Sequence, residues 1–365
     1  MKPKSFAVLA IAAVLSAVIA LATYASNNRW SQARTGGQPL FPDLAAQASR
    51  IANVEIKRGD KTLTLARGKD GWVVAGHGDY PVKPGAVRSL LIKLGEAELV
   101  EPKTRNRERY GLLDLEDPAA KDTKAHLVRL LDDKGGVVAE VVVGKKRWEA
   151  FGQSRAGTYV RKPGDPQTWL ASVEIDARET VPDWVHSKVI DLVPSKIAGL
   201  TVENPGQPPL KLERSGTEKT KHALAAIPEG KKLKKGADVD DIVRAAGSIE
   251  LEDVRKAEST PVGDVGVVQI AGDGGLGITL RLHKEGDAYW LSVSAAGKEG
   301  DAKKQADDIT KRTQGWEFKV ASAKAQSILK KQDDLLEAKP APAAAATPAP
   351  GATSTPAATP APAQQ

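Results

Sequence analysis

The chain has 365 residues, 41% hydrophobic and 27% charged, enough length for two or more domains and enough apolar residues for a packed core. It contains no cysteine, which excludes disulfides, thiolate metal sites, cysteine nucleophiles and a lipid anchor on an N-terminal cysteine. The net charge of +7 lies in short runs, such as Lys231, Lys232, Lys234 and Lys235 or Arg105, Arg107 and Arg109. These read as solvated loops, without the interleaved aromatics or reading motif that a nucleic-acid binder needs, so no nucleic-acid partner is expected.

Residues 1–4 carry Lys2 and Lys4, and residues 5–28 are uncharged and mostly apolar. About 20 apolar residues span a hydrocarbon core, and positive charge on the short side keeps that side in the cytoplasm. A single transmembrane anchor over 5–28 is therefore expected, with residues 1–4 cytoplasmic, the bulk of the chain exported, and membrane lipid as a partner. Ala20, Leu21 and Ala22 also resemble a signal-peptidase site, so a cleaved signal peptide is the alternative. Residues 29–50 read as a linker.

From residue 51 the chain repeats itself. Ile51, Val54 and Ile56 recur as Ile197, Leu200 and Val202 in the same alternation, and Leu63 and Leu65 recur as Leu210 and Leu212. Period-2 alternation of this kind predicts paired strands. A helix follows in each half. In 83–99, Pro84 stands at the start and Gly95 at the end, with Val87, Leu90, Leu91 and Leu94 on one face. In 236–251, Asp238 is the expected N-cap and Gly247 the terminator, with Val239, Ile242, Val243 and Ala246 on the matching face.

Further along, Leu127, Val128 and Leu130 match Val267, Val268 and Ile270, and the turn 132–136 matches 272–276. Tyr159 aligns with Tyr289, and Trp184 aligns with Trp316. The predicted fold is α+β: two tandem repeats, 51–190 and 191–336, of antiparallel sheet with a helix packed on one face. Residues 337–365, almost wholly Ala, Pro and Thr, are expected to be a disordered tail.

No motif assembles a reaction centre. Gly272, Gly274 and Gly277 satisfy G-x-G-x-x-G, but the alternating Ile278, Leu280 and Leu282 that follow predict a strand where a dinucleotide site needs a helix. Ser154 misses the nucleophile-elbow spacing by one residue. His77, His126, His186, His222 and His283 include no pair at metal-ligand spacing. Asp238, Asp240 and Asp241 lack a calcium-loop pattern and suit the first turn of a helix. No catalytic, cofactor-binding or metal residue is expected, and none of the carboxylates is read as an acid–base pair. Trp72 reads as core packing, Trp184 and Trp316 as anchors closing the repeats, and Trp148, Trp169 and Trp290 as unmatched aromatics where a partner surface would be sought first.

The stretches 70–74 (DGWVV), 90–99 (LLIKLGEAEL) and 109–118 (RYGLLDLEDP) resemble the bacterial envelope family termed domain of unknown function 4340. The stretches 141–144 (VVVG), 157–162 (GTYVRK) and 186–192 (HSKVIDL) extend the resemblance over about 45–336. In this chain the Tyr-Gly-Leu…Pro turn is longer, with residues 113–117 intervening. The resemblance implies one membrane helix, a duplicated ectodomain in the periplasm and an accessory role beside gliding-motility-type ABC transporters. It supplies no catalytic residues. The expected function is thus a non-enzymatic, inner-membrane-anchored periplasmic scaffold whose partners are an ABC-transporter permease or other envelope proteins. The alternative is an envelope ligand-binding or glycan-processing protein using the cleft between the repeats.

Overall fold

The computed structural model describes residue 16 and residues 37–151, 155–257 and 263–339. The expected membrane span, Ser154 and the tail beyond Lys339 lie outside the described residues, Ser16 apart. Among the described residues no helix is long and apolar enough to cross a membrane.

The first half contains β1 (Gln38–Pro39), α1 (Leu44–Gln47), β2 (Asn53–Arg58), β3 (Lys61–Arg67), β4 (Trp72–Ala75), β5 (Tyr80–Pro81), α2 (Ala86–Glu96), β6 (Glu98–Pro102), β7 (His126–Leu131), β8 (Val137–Arg147), β9 (Gly157–Arg161) and β10 (Thr168–Ala171). These strands form one ten-stranded sheet in the order β1-β6-β10-β9-β8-β7-β2-β3-β4-β5. The expected linker therefore ends early. Leu40 and Leu44 are buried and Phe41 packs against the core, because three apolar side chains in five residues gain more by burial than by solvation.

α3 (Val181–Trp184) and β11 (Lys188–Asp191) lead into the second half. There follow β12 (Ile197–Glu203), β13 (Leu210–Arg214), β14 (His222–Leu224), β15 (Lys231–Leu233), α4 (Val239–Gly247), β16 (Ser248–Glu250), β17 (Asp253–Lys256), β18 (Asp264–Gly272), β19 (Leu276–Glu285), β20 (Ala288–Gly297), α5 (Gly300–Thr313), β21 (Trp316–Val320), α6 (Ser322–Ile328), α7 (Gln332–Leu335) and β22 (Leu336–Ala338). The main sheet here is eight-stranded, in the order β14-β13-β12-β18-β19-β20-β21-β17, while β11 pairs with β16 and β15 with β22. Glu337 and Ala338, read as the start of the tail, belong to β22 and close a ladder on Lys232 and Lys231.

Strand pairing is antiparallel in both sheets, which makes the molecule α+β. The apolar alternation sets the registers. Val54 faces Leu65 on one side and Leu130 on the other, and Ile56 faces Leu63 and Val128. In the second sheet Leu200 faces Leu212 and Ile270, and Val202 faces Leu210 and Val268. All of these side chains are buried, and slipping one strand by a residue would turn its whole set to solvent. Burial of each is worth about 1.5–3 kcal/mol, so the register is strongly determined.

Asp238 caps α4 by accepting from the Asp240 amide at 2.9 Å, as expected. Gly95 does not end α2; it lies inside, and the chain leaves through Ala97 in an extended conformation that any residue adopts. The glycine with a special conformation is at the other end, where Gly85 opens the helix with φ 81°. Gly247 is the last residue of α4, and its role is close approach: a Cβ there would lie 2.7 Å from the Leu192 carbonyl oxygen.

Two of the sequence alignments shift. Val143 faces Val160 and Leu282 faces Leu291, so Tyr159 stands level with Trp290 rather than Tyr289. Trp184 ends α3, outside either large sheet, whereas Trp316 opens β21. In strand order the counterpart of β21 is β10, which carries Trp169. Loop lengths between the matched strands differ, and a count along the chain does not register where the extra residues fall.

Candidate functional site

The most specific constellation lies where the first sheet meets the second. The turn between β4 and β5 has three positive-φ positions among four residues: Gly76 (φ 81°), Gly78 (φ 70°) and Asp79 (φ 63°). It projects against β17 and β21. A Cβ on Gly78 would lie 2.8 Å from Lys256 Cγ, 3.0 Å from the Trp316 ring and 3.1 Å from the Lys256 backbone nitrogen, so only glycine fits. Tyr80 then inserts its ring edge-on against Trp316, centroids 4.8 Å apart, and against Phe318 at 6.0 Å. Its hydroxyl donates to the Arg312 carbonyl at 3.4 Å, and burial pushes the phenol above its ordinary pKa.

Beside these rings His77 Nδ1 meets Asp253 Oδ1 at 2.6 Å. The hydrogen bond to Asp253 raises the His77 pKa more than burial lowers it. Burial opposes the charge on Asp253, but the His77 hydrogen bond and the Val254 amide outweigh it and hold the carboxyl below its ordinary range. The pair is thus an ion pair at moderately acidic pH. Trp184 is part of the same region: its indole donates to the Arg178 carbonyl at 2.8 Å, and its own carbonyl accepts from the Lys83 amide at 2.8 Å. Arg312 reaches the Lys188 carbonyl at 3.1 Å. Beside α2 a cleft of about 360 Å³ is lined by Lys83, Ser89, Lys93, Asp176, Arg178 and Trp184. Lys83 donates to the Asp183 carbonyl, and Arg178 lies near the Asp176 and Asp183 carboxylates.

Three of the other histidines, His126, His222 and His283, have structural partners. His126 meets Glu179 at 2.9 Å, and Arg58 meets the same carboxylate at 3.2 Å. Burial pushes Glu179 up, but its own amide, His126 and Arg58 outweigh that and leave it low. His222 has both ring nitrogens engaged, with Asp240 at 3.3 Å and the Ile197 carbonyl at 3.0 Å. His283 and the buried Glu317 flank Arg255, whose guanidinium lies 4.0 Å over the Trp290 ring. Asp240 is buried under His222 and Asp241 pairs with Arg244, so the acidic group serves α4 and its surroundings. Among the described residues no group of three potential ligands is placed to hold a metal ion.

The basic run at 231–235 is a paired surface rather than a solvated loop. Lys231 meets Asp333 at 2.6 Å, Lys232 meets Glu337 at 3.2 Å, and Lys234 donates to the Asp333 and Asp334 carbonyls at 2.9 Å each. The hydrogen bond from Lys231 lowers the Asp333 pKa. The hairpin reading of 272–277 matches the structure, with Gly274 and Gly275 at positive φ between β18 and β19. The unmatched tryptophans divide: Trp169 and Trp290 are half-buried, while Trp148 is 71% exposed.

Of these residues the sequence singled out only His77, and only as one of five histidines with no pair at metal-ligand spacing. The only local signal was Gly76 and Gly78 on either side of His77, a spacing that demands a tight turn but does not name what the turn touches.

Fold and junction together define an α+β protein in which a cluster of polar and aromatic side chains joins two antiparallel sheets. The family model described as domain of unknown function (DUF4340) matches residues 72–264, more than half of the chain, and the protein belongs to that family. The matched span runs from β4 to the first residue of β18 and so takes in elements of both large sheets. Comparison with curated proteins and with solved structures finds no match.

Proposed function

We propose that the protein is a non-catalytic scaffold or accessory subunit of an ABC-type transport complex, tethered to the inner membrane by residues 5–28, with its sheets in the periplasm. The observation that carries this reading is the filled junction. Tyr80, Trp316 and Phe318 occupy the space where a ligand-binding or glycan-processing protein would need a cleft. The two buried histidines add to it, since His222 is held by the Ile197 carbonyl and His283 by Arg255, each within the second sheet. The anchor follows from the apolar run, and the transporter context from the family resemblance.

The same reading takes the two sheets as copies of one unit. Its support is the common order β4-β3-β2-β7-β8-β9-β10-β6 and β14-β13-β12-β18-β19-β20-β21-β17, together with matching apolar partners in the first strands. An experimental structure tests the duplication by superposition of these strands; helices on opposite faces of the two sheets would remove it. Cross-linking in intact cells with identification of the adducts tests the function. Adducts with a permease or an ATPase subunit are expected, and adducts confined to soluble or cell-wall proteins count against it.

A further inference from the structure

Between β6 and β7 the chain lays a separate layer over the first sheet. Tyr110, Leu115, Ala125 and Val142 form a small apolar cluster of their own, with Leu127 packed against it. Val142 and Leu127 alternate along β8 and β7 with Val141, Val143 and Val128 of the main core, so this cluster lies on the opposite face of the sheet. Hydrogen bonds tie the layer down. The Tyr110 hydroxyl donates to the Pro166 carbonyl at 2.6 Å, the Gly59 amide to the Pro118 carbonyl at 2.8 Å, and Arg58 Nε to the Thr123 carbonyl at 3.0 Å. Where the layer meets the turn between β9 and β10 it leaves a cleft of about 390 Å³, within the usual size of small-molecule sites.

Two demands of opposite sign are unmet at this cleft. Arg161 is fixed from two sides: its guanidinium lies 5.0 Å over the Tyr110 ring, and its Nε donates to the Leu115 carbonyl at 3.4 Å. Its Nη groups have no partner among the described residues. Neither Arg161 nor Arg107, which also lines the cleft, has a carboxylate within ion-pair distance among those residues. A guanidinium held in this way presents a preorganised fork to a carboxylate. Glu116 lines the same cleft. Its Oε1 accepts from the Lys124 amide at 2.6 Å and the Thr123 hydroxyl at 3.3 Å, while Oε2 is buried without a donor among the described residues. A buried carboxylate oxygen with no donor has lost solvation that nothing replaces. Asp117 and Asp165 add two further carboxylates to the lining, each giving one oxygen to a nearby amide, Ala119 at 2.9 Å and Gln167 at 2.8 Å. A simple anion would meet three carboxylates here, and a simple cation two guanidiniums. A ligand that carries both signs answers both demands.

We infer that this cleft binds a small amino-carboxylate, a free amino acid or short peptide, with its carboxylate forked by Arg161 and its ammonium drawn to Glu116, Asp117 and Asp165. A planar, singly charged carboxylate suits the guanidinium fork, and three acidic side chains disfavour a dianionic phosphate. This site goes beyond the accessory reading and does not rest on it.

The test is isothermal titration calorimetry on the full chain in mild detergent, with alanyl-alanine as the probe. N-acetyl-alanyl-alanine lacks the ammonium and alanyl-alaninamide lacks the carboxylate. The free dipeptide is expected to bind saturably, and each blocked form about tenfold more weakly. Arg161→Lys keeps the charge and loses the fork. It is expected to weaken the dipeptide about tenfold and to narrow its advantage over the amide. Glu116→Gln retains an acceptor for the Lys124 amide and is expected to remove most of the advantage over the acetylated form. No saturable heat from the free dipeptide at millimolar concentration overturns the inference, as does equal binding of all three forms. A variant that weakens all three ligands alike overturns the role given to its residue. Glycerophosphoethanolamine binding more tightly than the dipeptide overturns the amino-carboxylate assignment in favour of a lipid headgroup.

Discussion

Truncating Tyr80 to alanine removes the ring that holds the two sheets together. Tyr80 is 7% exposed, and its ring meets Trp316 and Phe318 edge-on. Replacing a buried aromatic by alanine costs about 3–5 kcal/mol through lost transfer energy and the cavity left behind. The two edge-to-face contacts add specificity worth about 0.5–1.5 kcal/mol each within that total. Against a net stability of about 5–15 kcal/mol, the loss is large. Tyr80→Phe is the control. It keeps the ring and removes only a long hydroxyl contact to the Arg312 carbonyl, worth about 0.5 kcal/mol. Denaturant unfolding followed by tryptophan fluorescence reads both variants, because Trp316 reports the junction directly. Tyr80→Ala is expected to lower the midpoint strongly and to split unfolding into two transitions, while Tyr80→Phe stays near the wild type. If Tyr80→Ala proved within about 1 kcal/mol of the wild type with a single transition, the ring would not be what joins the sheets.

Other variants probe neighbouring parts. Gly78→Ala puts a Cβ in the left-handed region at about 1–2 kcal/mol and against Lys256 and Trp316 at about 1–3 kcal/mol more; thermal unfolding should show the sum, and a neutral variant would mean the turn moves freely. The His77–Asp253 pair should make stability pH-dependent. His77 has a raised pKa when folded, so its contribution is full below its ordinary value of 6.5 and lost as pH rises through the folded value. Asp253 has a lowered pKa, so its contribution is present above its ordinary value of 3.8 and lost as pH falls through the folded value. The stability difference between wild type and His77→Ala, about 1 kcal/mol for a partly exposed charged pair, should therefore be greatest in moderately acid solution and shrink toward alkaline pH. A difference that is constant with pH would exclude the ion pair. Asp238→Ala removes the cap of α4 and should cost about 1 kcal/mol in unfolding measurements, while Asp238→Asn should cost almost nothing.

Local order was legible wherever chemistry acts over a few residues. Period-2 alternation located Val54, Ile56, Leu200 and Val202 on buried faces, and Asp238 was readable as a cap because its partner amide is two residues away. Gly95 misled because a glycine inside an amphipathic pattern looks like a stop, while packing of Leu90 and Leu94 carries the helix through it. Long-range contacts left no such trace. Lys231 and Asp333 are 102 residues apart, and His77 reaches Asp253 across an even longer interval, so charge runs and lone histidines carry no sign of their partners. Trp148 was legible only as unmatched; its exposure follows from a hairpin tip whose place emerges once β8 and β9 are paired.

Purification of the native protein from its own membranes in mild detergent, with native mass spectrometry of what it holds, tests the functional proposal most directly. The account predicts a complex containing this chain in fixed ratio with a permease and an ATPase subunit. Recovery of the chain alone, with the transporter subunits left in separate fractions, would contradict it.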